Sequence, residues 1–421
     1  MYKAPRGAAD ILPGDQPWWR YIESAAAVLC ERFAYRRIDT PIFESSALFH
    51  RSVGEATDIV EKETYTFDDR SGDSMTLRPE GTAAVCRAYL EHGMHVLPLP
   101  VRLYSLRAPM FRYDRPQAGR FRQFHQVNAE AIGDAGAAVD VEVIELAWRL
   151  FETLGLRNLS LLINSIGDPA CRPAYLQALR AYYQPHLASL CGDCTKRFHT
   201  NPLRLLDCKK PTCQPHAQDA PRGADMLCQP CLDHWRQLQD GLRILGIPFA
   251  VDHRLVRGLD YYTRTVFEVQ PPEEGGQSTL GGGGRYDGLI QQLGGNPTPA
   301  VGFACGIERL ILNLKRQGIV LPPESDAFAV VACMGDAARP VALKLAADLR
   351  RAGLRAVLAP TGKSLKAQMR YIGASGATHA LILGDDELRQ SLVAVKTLAT
   401  GDQRLVPLAE APAAINPPHP A

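Results

Sequence analysis

Residues 110–130 read MFRYDRPQAGRFRQFHQVNAE, and this pattern constrains the fold more than any other stretch of the chain. It predicts two antiparallel strands: the first ends near Tyr113, a loop covers 114–119, and the return strand starts near Arg120. Side chains on a strand alternate between its two faces. One face of the return strand therefore presents Arg120, Arg122, Phe124, Gln126, Asn128 and Glu130.

Such a face is too polar for a core, and two interpretations of it remain open. One is a binding surface, because guanidinium groups bind phosphates, an aromatic ring stacks on a base, and amides or a carboxylate hold an amine or a ring nitrogen. The other is the solvated side of a two-layer sheet. The first interpretation predicts a ligand that combines phosphate groups with a stackable ring.

A second unusual segment is RGLDYYTRTVFEV at 257–269. Its second half, 263–269, alternates like a half-buried strand, whereas its start carries Arg257 and two tyrosines within six positions. A cation held beside two phenols at the mouth of a strand is unusual for a purely structural element. Simple alternation places Tyr261 and Tyr262 on opposite faces, so this pattern does not explain how both would meet one ligand.

Four consecutive glycines occupy 281–284 in LGGGGRYDGL. The run favours either a close approach of the backbone to a ligand or a bulge or flexible turn. It is not a dinucleotide-binding fingerprint, because Tyr286 occupies the place of a third glycine. PTGKS at 360–364 is not a P-loop either, because Val357 stands where the first glycine would be.

The composition is that of an ordinary globular chain, with 421 residues, 46% hydrophobic content and a net charge of +2. The chain has no apolar stretch of about 18 residues, and its start lacks the apolar core of a secretory signal. We therefore expect a cytoplasmic location and no membrane partner. Residues 327–421 carry 11 Lys and Arg against 7 Asp and Glu, an excess that favours a nucleic-acid partner for this part.

The patterns of apolar and turn residues predict several regions. Residues 1–322 mix strands with amphipathic helices, and the Cys-rich stretch 171–240 within them looks inserted. Residues 327–410 alternate strands and helices, which predicts a small α/β domain on a mostly parallel sheet, and 411–421 are expected to be a frayed tail. Asp140 is the expected N-cap of the helix in DVEVIELAWRLFETLGL.

Six of the eleven cysteines crowd into the predicted insertion. Four of them, spaced C-x4-C-x14-C-x2-C near the range of zinc ribbons, are Cys208, Cys213, Cys228 and Cys231. Cys191 and Cys194 form a further C-x2-C pair. A structural Zn²⁺ and a set of reduced thiols remain open as alternatives. The other cysteines are scattered and are expected to be reduced core residues: Cys30, Cys86, Cys171, Cys305 and Cys333.

Five segments, which follow one another along the chain in the order that the family has, resemble the class II aminoacyl-tRNA synthetases and, among them, the histidyl-tRNA synthetase family. TPIFE around Pro41 is similar to motif 1, MFRYDRPQ with RFRQFHQ to motif 2, and GFACGIERL to motif 3. RGLDYYTRTVFE and GGGGRYDGL are similar to the two signature peptides of the histidine enzyme. The resemblance spans nearly the whole chain.

The resemblance implies an α+β fold, with a class II catalytic domain on an antiparallel sheet, an inserted domain and a C-terminal α/β anticodon-binding domain. It implies a homodimer, with motif 1 at the interface, that activates L-histidine with ATP and transfers the histidyl group to tRNA(His). ATP with Mg²⁺ is then a substrate, and the reaction needs neither an organic cofactor nor a protein-bound metal.

A related protein offers an alternative function. It is the catalytically inactive, synthetase-like regulatory subunit of ATP phosphoribosyltransferase, an enzyme of histidine biosynthesis. That relative lacks the C-terminal domain and the arginine of RGLDYY. Both are present in this sequence, which favours the ligase.

The resemblance also implies roles for single residues in binding ATP. Arg112 would hold the α-phosphate, and Phe124 would stack on the adenine. Arg120 and Arg309 would take the outer phosphates. Asp114 stands where the family usually has a glutamate that helps to read the adenine amino group, and its side chain is shorter by one methylene.

The residues implied to bind histidine are Glu80, Gly81, Thr82, Arg112, Gln126, Glu130, Arg257, Tyr261 and Tyr262. Glu80 and Thr82, in RPEGT, and Gln126 would bind the α-amino end. Glu130 and Tyr262 would address the imidazole, and Tyr261 would line the pocket beside them.

Arg257 and Arg112 are the residues to which the resemblance assigns catalysis. Arg257 would contact both the α-phosphate and the substrate carboxylate, where related enzymes use a metal ion. Activation brings a carboxylate onto a phosphate, and a fixed fork of donors offsets their repulsion while charge moves onto the leaving pyrophosphate. Catalysis would then consist of positioning and electrostatics, without a protein nucleophile.

Overall fold

The computed structural model describes residues 2–53, 63–116, 119–272, 279–322 and 327–415. The chain divides into two compact units, Met1–Leu321 and Pro322–Ala421. Within the described ranges, no helix is both long enough and apolar enough to cross a membrane.

The first unit is built on a large, mainly antiparallel sheet. Its strands are β1 (Arg36–Arg37), β2 (Phe43–Ser45), β3 (Tyr65–Asp68), β4 (Ser74–Leu77), β5 (Val101–Phe111), β6 (Gln123–Ile132), β7 (Ser160–Ser165), β8 (Phe249–Val251), β9 (Thr263–Gln270), β10 (Gly281–Arg285) and β11 (Ala300–Gly306). The large sheet has the order β1-β5-β6-β11-β10-β9-β7-β8, and β2-β4-β3 form a small separate sheet. Only the outermost pairs of the large sheet, β1 with β5 and β7 with β8, are parallel among the described strands. The predicted antiparallel sheet is confirmed.

Helices pack against both faces of the large sheet. The helices of this unit are α1 (Gln16–Arg32), α2 (Ser46–Val53), α3 (Thr82–Glu91), α4 (Ala137–Thr153), α5 (Arg172–Tyr183), α6 (Gly192–Thr200), α7 (Gln214–Gln218), α8 (Gln229–Ile244), α9 (Leu289–Gln292) and α10 (Ile307–Arg316). The main core contains residues of α1, α4 and α10 together with Val127, Ala129 and Ala131 of β6. Since alternate residues of a strand face opposite sides, the polar residues of β6 lie on the face away from this core.

The hairpin of β5 and β6 confirms the predicted pairing but shortens the return strand, which begins at Gln123 rather than near Arg120. Arg122, predicted on the ligand face, instead lies with its guanidinium 4.1 Å from the ring centroid of Tyr113. Its Nε donates to the carbonyl of Asp114 at 3.1 Å. Period-two alternation fails here because these residues precede the strand.

Asp140 is not the N-cap of α4; Gly136 takes that position, and Asp140 lies fully buried inside the helix. Its carboxylate forms an ion pair with the equally buried Arg285. The hydroxyl of Thr265 donates to it at 2.5 Å, and Nε2 of His234 lies 2.8 Å away. Asp140 therefore links α4 to α8, β9 and β10 through one buried polar cluster.

The Cys-rich segment belongs to the first compact unit and is helical, from α5 to α8 with short helical turns between them. The four cysteines with zinc-ribbon spacing, which the sequence left open as a zinc set, do not lie together. Cys208 and Cys213 lie with Cys191 and Cys194, whereas Cys228 and Cys231 lie with two other residues, Asp168 and Cys171. The regrouping arises because the fold brings together pairs that the linear spacing did not connect.

The second unit is a five-stranded sheet with helices. Its elements are β12 (Phe328–Cys333), α11 (Ala338–Arg351), β13 (Arg355–Leu358), α12 (Leu365–Ala374), β14 (His379–Leu383), α13 (Asp385–Arg389), β15 (Leu392–Thr397), β16 (Gln403–Pro407) and α14 (Ala411–Ile415). The order is β13-β12-β14-β15-β16 among the described residues. Two of its four strand pairs are parallel and two antiparallel, so the predicted mostly parallel sheet is wrong in its second half.

The predicted tail starts as structure rather than as frayed chain. Residues 411–415 form α14, whose Ala411 and Ile415 are buried in the core of the second unit. The remainder of that predicted tail, residues 416–421, lies outside the described residues.

Candidate active site

The polar face of the large sheet carries two adjoining cavities. The larger, of about 290 Å³, is lined by Arg112, Asp114, Arg120, Phe124, Gln126, Arg257, Glu268, Gly282 and Arg309, among others. We call it the arginine cavity. It brings together the start and end of the hairpin loop, the end of β9, the glycine strand β10 and the first turn of α10. This face is therefore concave rather than a flat solvated surface, which favours the interpretation as a binding surface.

Each arginine of this cavity is held by the surrounding chain. Nε of Arg309 donates to the carbonyl of Gly119 at 3.0 Å, and its Nη1 to that of Thr279 at 3.1 Å. Nε of Arg112 donates to the carbonyl of Pro79 at 2.9 Å. Arg120 forms an ion pair with Asp114. The guanidinium groups are therefore fixed before any ligand arrives.

The electrostatics of the arginine cavity favour a polyanion. Burial lowers the pKa of Arg309, and the neighbouring cations Arg120, Arg112 and Arg257 lower it further. Burial likewise lowers the pKa of Arg112. Such shifts mean that these groups are charged at a cost in free energy, which a bound anion would remove.

Arg257 lies between the two cavities and lines both. Its guanidinium forms an ion pair with Glu268, and the side chain of Arg257 is 22% exposed. Glu268 stands opposite Gly282 in the β9–β10 register. A Cβ at Gly282 would lie 2.9 Å from Nη1 of Arg257, so only glycine lets the guanidinium lie against the strand.

The smaller cavity, of about 70 Å³, adjoins the first, and we call it the tyrosine cavity. It is lined by Glu80, Gly81, Thr82, Arg112, Gln126, Asn128, Arg257, Tyr261, Tyr262, Gly282, Tyr286, Gly302 and Ala304, among others. The rings of Tyr261 and Tyr262 lie with centroids 4.8 Å apart. Both tyrosines reach one cavity because they precede β9 in a turn, where strand alternation does not apply.

Glu80 lines the tyrosine cavity, and its carboxylate is held by the start of α3. Its carboxylate accepts the backbone N–H groups of Thr82 at 2.7 Å and Ala83 at 2.9 Å. Burial raises the pKa of Glu80, although these two donors oppose the shift. The carboxylate is thus oriented by the helix terminus and available to a cation within the cavity.

Glu130 does not line the cavity; it lies directly behind its wall and is 2% exposed. The hydroxyl of Tyr286 donates to its Oε2 at 2.5 Å and the hydroxyl of Thr82 to its Oε1 at 2.8 Å. Burial raises the pKa of Glu130 to about 8, against those two donors. Near pH 7 the carboxyl is therefore mainly protonated in the unliganded protein.

All the site residues predicted from the sequence, except Glu130, line one or both cavities. Two residues were missed. Glu268, the partner of Arg257, was visible only as a carboxylate in the strand that lies opposite the glycine run. Tyr286 was noted only as the reason to reject a dinucleotide motif. Their polar side chains beside glycines in adjacent strands were the available signal.

Comparison with known proteins identifies the family. A family model described as "Histidyl-tRNA synthetase" matches residues 7–310. The chain belongs to the histidyl-tRNA synthetase family. A second model, "Anticodon binding domain", matches residues 328–416, which fall in the second compact unit. The resemblance drawn from the five motifs is confirmed.

Relatives in the histidyl-tRNA synthetase family match this chain over nearly its full length. "Histidine--tRNA ligase" of Dehalococcoides mccartyi is 56% identical over 408 residues, which cover 97% of each chain. "Histidine--tRNA ligase" of Pelotomaculum thermopropionicum is 51% identical over 404 residues, covering 96% of this chain and 95% of the relative.

Solved structures of the family have the same fold. The apo S. aureus histidyl-tRNA synthetase superposes with a TM-score of 0.83 at 40% identity, covering 99% of this chain and 100% of that one. A Bacillus halodurans structure described as an ATP phosphoribosyltransferase regulatory subunit/histidyl-tRNA synthetase has a TM-score of 0.66 at 22% identity, over 91% of this chain and 98% of that one. At that identity the likeness concerns the fold alone.

Proposed function

We propose that this chain is a histidine–tRNA ligase, which activates L-histidine with ATP to histidyl-adenylate and then transfers the histidyl group to the 3′ end of tRNA(His). The observation that carries the proposal is the junction of the two cavities. A cavity with four fixed guanidinium groups among the described residues opens onto a smaller one with tyrosines and a carboxylate.

The arginine cavity suits ATP. Phe124 offers a face for the adenine, and the Arg112 guanidinium lies 5.9 Å from the centroid of its ring. In this proposal Arg112 holds the α-phosphate, while Arg120 and Arg309 hold the outer phosphates. Asp114 is the residue that we assign to the adenine amino group. Its ion pair with Arg120 joins the two ends of the hairpin loop.

Mg²⁺ enters this scheme with ATP, as part of the substrate. Among the described residues, the side-chain groups that could hold a metal ion by themselves are the two around the insertion cysteines, and neither lines the arginine cavity or the tyrosine cavity. Phosphate oxygens would supply most of the ligands of Mg²⁺, as is usual for nucleotide substrates.

The tyrosine cavity suits histidine. Its α-amino group would meet Glu80, Thr82 and Gln126, where an oriented carboxylate favours a cation. The imidazole would point to Tyr262 and to the wall that Glu130 supports from behind. Its carboxylate would then lie near the junction, beside Arg257.

Arg257 carries the chemical step in this proposal. Its guanidinium, fixed by Glu268, would bridge the substrate carboxylate and the α-phosphate and offset the repulsion between them. As the carboxylate oxygen attacks the α-phosphorus and pyrophosphate leaves, negative charge moves toward Arg120 and Arg309. No protein group changes its covalent bonds, so the rate enhancement comes from positioning and electrostatics.

We also propose a homodimer in the cytoplasm, where its substrates ATP and tRNA are found. An apolar patch on the small β2-β4-β3 sheet supports the dimer: Ile42, Phe43 and Phe67 are 44%, 48% and 45% exposed. Ile42 and Phe43 belong to the motif 1 segment TPIFE, which the family resemblance places at the dimer interface. Phe43→Glu should shift the chain to a monomer in analytical ultracentrifugation.

The test of function is histidine-dependent exchange between ATP and pyrophosphate, run with each of the twenty amino acids, followed by charging of tRNA(His). Only histidine should support exchange. Arg257→Ala should abolish exchange while circular dichroism and the oligomeric state stay unchanged. Arg254→Ala, an exposed arginine outside both cavities, is the matched control and should behave as wild type. Near-normal exchange in Arg257→Ala would refute its role.

A further inference from the structure

Four cysteines from two chain segments meet inside the insertion, and the proposed reaction uses none of them. Cys191 and Cys194 lie at the start of α6, and Cys208 and Cys213 lie in the loop before α7. Their four sulfur atoms are all within 4.8 Å of one another. We call these residues the tetrathiol cluster.

The sulfur spacing fits a shared ion better than covalent bonds. Sγ of Cys191 lies 3.9 Å from Sγ of Cys208. A tetrahedral zinc site with Zn–S bonds of about 2.3 Å has sulfurs about 3.8 Å apart, whereas a disulfide brings them to about 2.05 Å. All four thiols are free.

The cluster is buried in the core of the insertion, and one of its sulfur atoms accepts a backbone hydrogen bond. Cys194 and Cys213 are 0% and 1% exposed, and Cys208 is 7% exposed. The backbone N–H of Cys191 donates to Sγ of Cys213 at 3.3 Å. Donors of this kind orient sulfur ligands and stabilise their thiolate form around a metal.

The surrounding charge compensates for such a site. Four thiolates around Zn²⁺ leave two negative charges. The stretch 191–213 carries five Lys and Arg against two Asp, and Lys209 and Lys210 directly follow Cys208. This basic stretch would offset the excess charge without a buried counter-ion.

The insertion consists of short helical pieces that a metal ion would stabilise. Between α5 and α8 the described helical pieces are only four to nine residues long. Pieces of this size bury little apolar surface, and small folds of this kind are commonly held by a metal or by disulfides.

We propose that Cys191, Cys194, Cys208 and Cys213 bind one structural Zn²⁺. The ion joins the start of α6 to the loop before α7 and thereby fixes the insertion. No cysteine lines the arginine or the tyrosine cavity, so this zinc takes no part in the activation of histidine.

A second group, Asp168 with Cys171, Cys228 and Cys231, is left out of the proposal. Its carboxylate is already engaged. Oδ1 of Asp168 accepts the backbone N–H of Ala170 at 3.0 Å, and its Oδ2 pairs with Arg264 at 3.2 Å. Three thiols and an occupied carboxylate make a poorer zinc ligand set than four thiols.

The test compares bound zinc in the full-length wild type and in variants, all purified without chelator from zinc-supplemented cultures and measured by elemental analysis. Cys213→Ser should lose one zinc per chain relative to wild type. Cys213→His keeps a zinc ligand and should retain the ion. Cys333→Ala, which alters a buried cysteine of the second compact unit, should match wild type.

A second, spectroscopic experiment uses the wild type alone, so its result does not depend on whether Cys213→Ser folds. Replacement of zinc by Co²⁺ should give the intense sulfur-to-cobalt charge-transfer band of a tetrahedral thiolate site. Wild-type protein with only traces of zinc, or without that band after loading with Co²⁺, would overturn the proposal. So would a Cys213→Ser variant that is folded and retains the full wild-type zinc content.

Discussion

The guanidinium of Arg257 and the carboxylate of Glu268 form an ion pair at the junction of the arginine and tyrosine cavities. The hydroxyl of Thr279 donates to the other oxygen of Glu268 at 3.0 Å, so the carboxylate is itself held. Glu268 therefore determines where the Arg257 guanidinium lies before the substrates arrive.

Glu268→Gln should lower kcat of the exchange reaction about tenfold, which corresponds to about 1.4 kcal/mol of transition-state stabilisation. The reason is that Arg257 loses the partner that orients it, while its charge remains. Steady-state exchange kinetics measure this change. Glu142→Gln is the matched control, since Glu142 is a similarly buried carboxylate that pairs with Arg102 and lines neither cavity. Equal kcat in wild type and Glu268→Gln would contradict the positioning role.

Histidine binding should release protons near pH 7, and Glu130 should be their main source. The raised pKa of about 8 means that the free protein keeps this carboxyl protonated, whereas a nearby imidazole N–H favours the carboxylate. The release should fade above about pH 9, where Glu130 is already ionised. Titration calorimetry in buffers of different ionisation enthalpy measures the proton count.

Glu130→Gln should remove most of this proton release, and the exposed Glu91→Gln should leave it unchanged. The same carboxyl makes the stability of the free protein depend on pH. Because its folded pKa is raised, its contribution is complete below the unfolded pKa, near 4.5, and is lost as the pH rises through about 8. Identical proton release in wild type and Glu130→Gln would exclude Glu130 as the source.

Gly302→Ala should raise KM for histidine about tenfold or more and change KM for ATP much less. A Cβ at this position would lie 1.7 Å from Oε2 of Glu130 and would displace that carboxylate. Gly302 lines the tyrosine cavity but not the arginine cavity, which explains the expected selectivity. Gly288→Ala is the control, because a Cβ there meets nothing within 4 Å. If Gly302→Ala raised KM for ATP as much as KM for histidine, the effect would not be confined to the tyrosine cavity.

Asp140→Asn should destabilise the first compact unit by about 3–5 kcal/mol at neutral pH, the usual cost of breaking a buried ion pair. Burial alone would raise the pKa of Asp140, but Arg285 and His234 outweigh it and lower the pKa. A lowered carboxyl pKa stabilises the fold above the unfolded pKa, and that contribution is lost as the pH falls through the folded pKa. Thermal unfolding at several pH values should therefore show the difference from wild type shrinking in acid. The exposed Asp240→Asn should cost little at any pH.

Residues predicted from local sequence patterns line the two cavities. Gln126, Asn128 and Phe124 reach the cavities because they sit in or at a regular strand, and Arg257, Tyr261 and Tyr262 because one short segment carries them all. The family resemblance then supplied the roles that the pattern could not.

The wrong or missing predictions share a cause. Each concerns a contact between segments that are distant along the chain. Glu268 becomes important only through its register opposite Gly282. Cys208 and Cys213 lie with the upstream pair Cys191 and Cys194 rather than with Cys228 and Cys231. Asp140 lies inside α4, where its carboxylate pairs with the distant Arg285. None of these pairings is set by spacing along the chain.

Arg112, Gln126, Arg257, Gly282 and Ala304 line both cavities, so the two compartments share a wall. A single inhibitor that joins an imidazole to a nucleoside through an uncleavable bridge would fill both at once. Its second half would bind at the high effective concentration set by the bridge. The potency of such an inhibitor would then depend on the length of the bridge and on its polarity where it passes the shared wall. The affinity of either half alone would matter less.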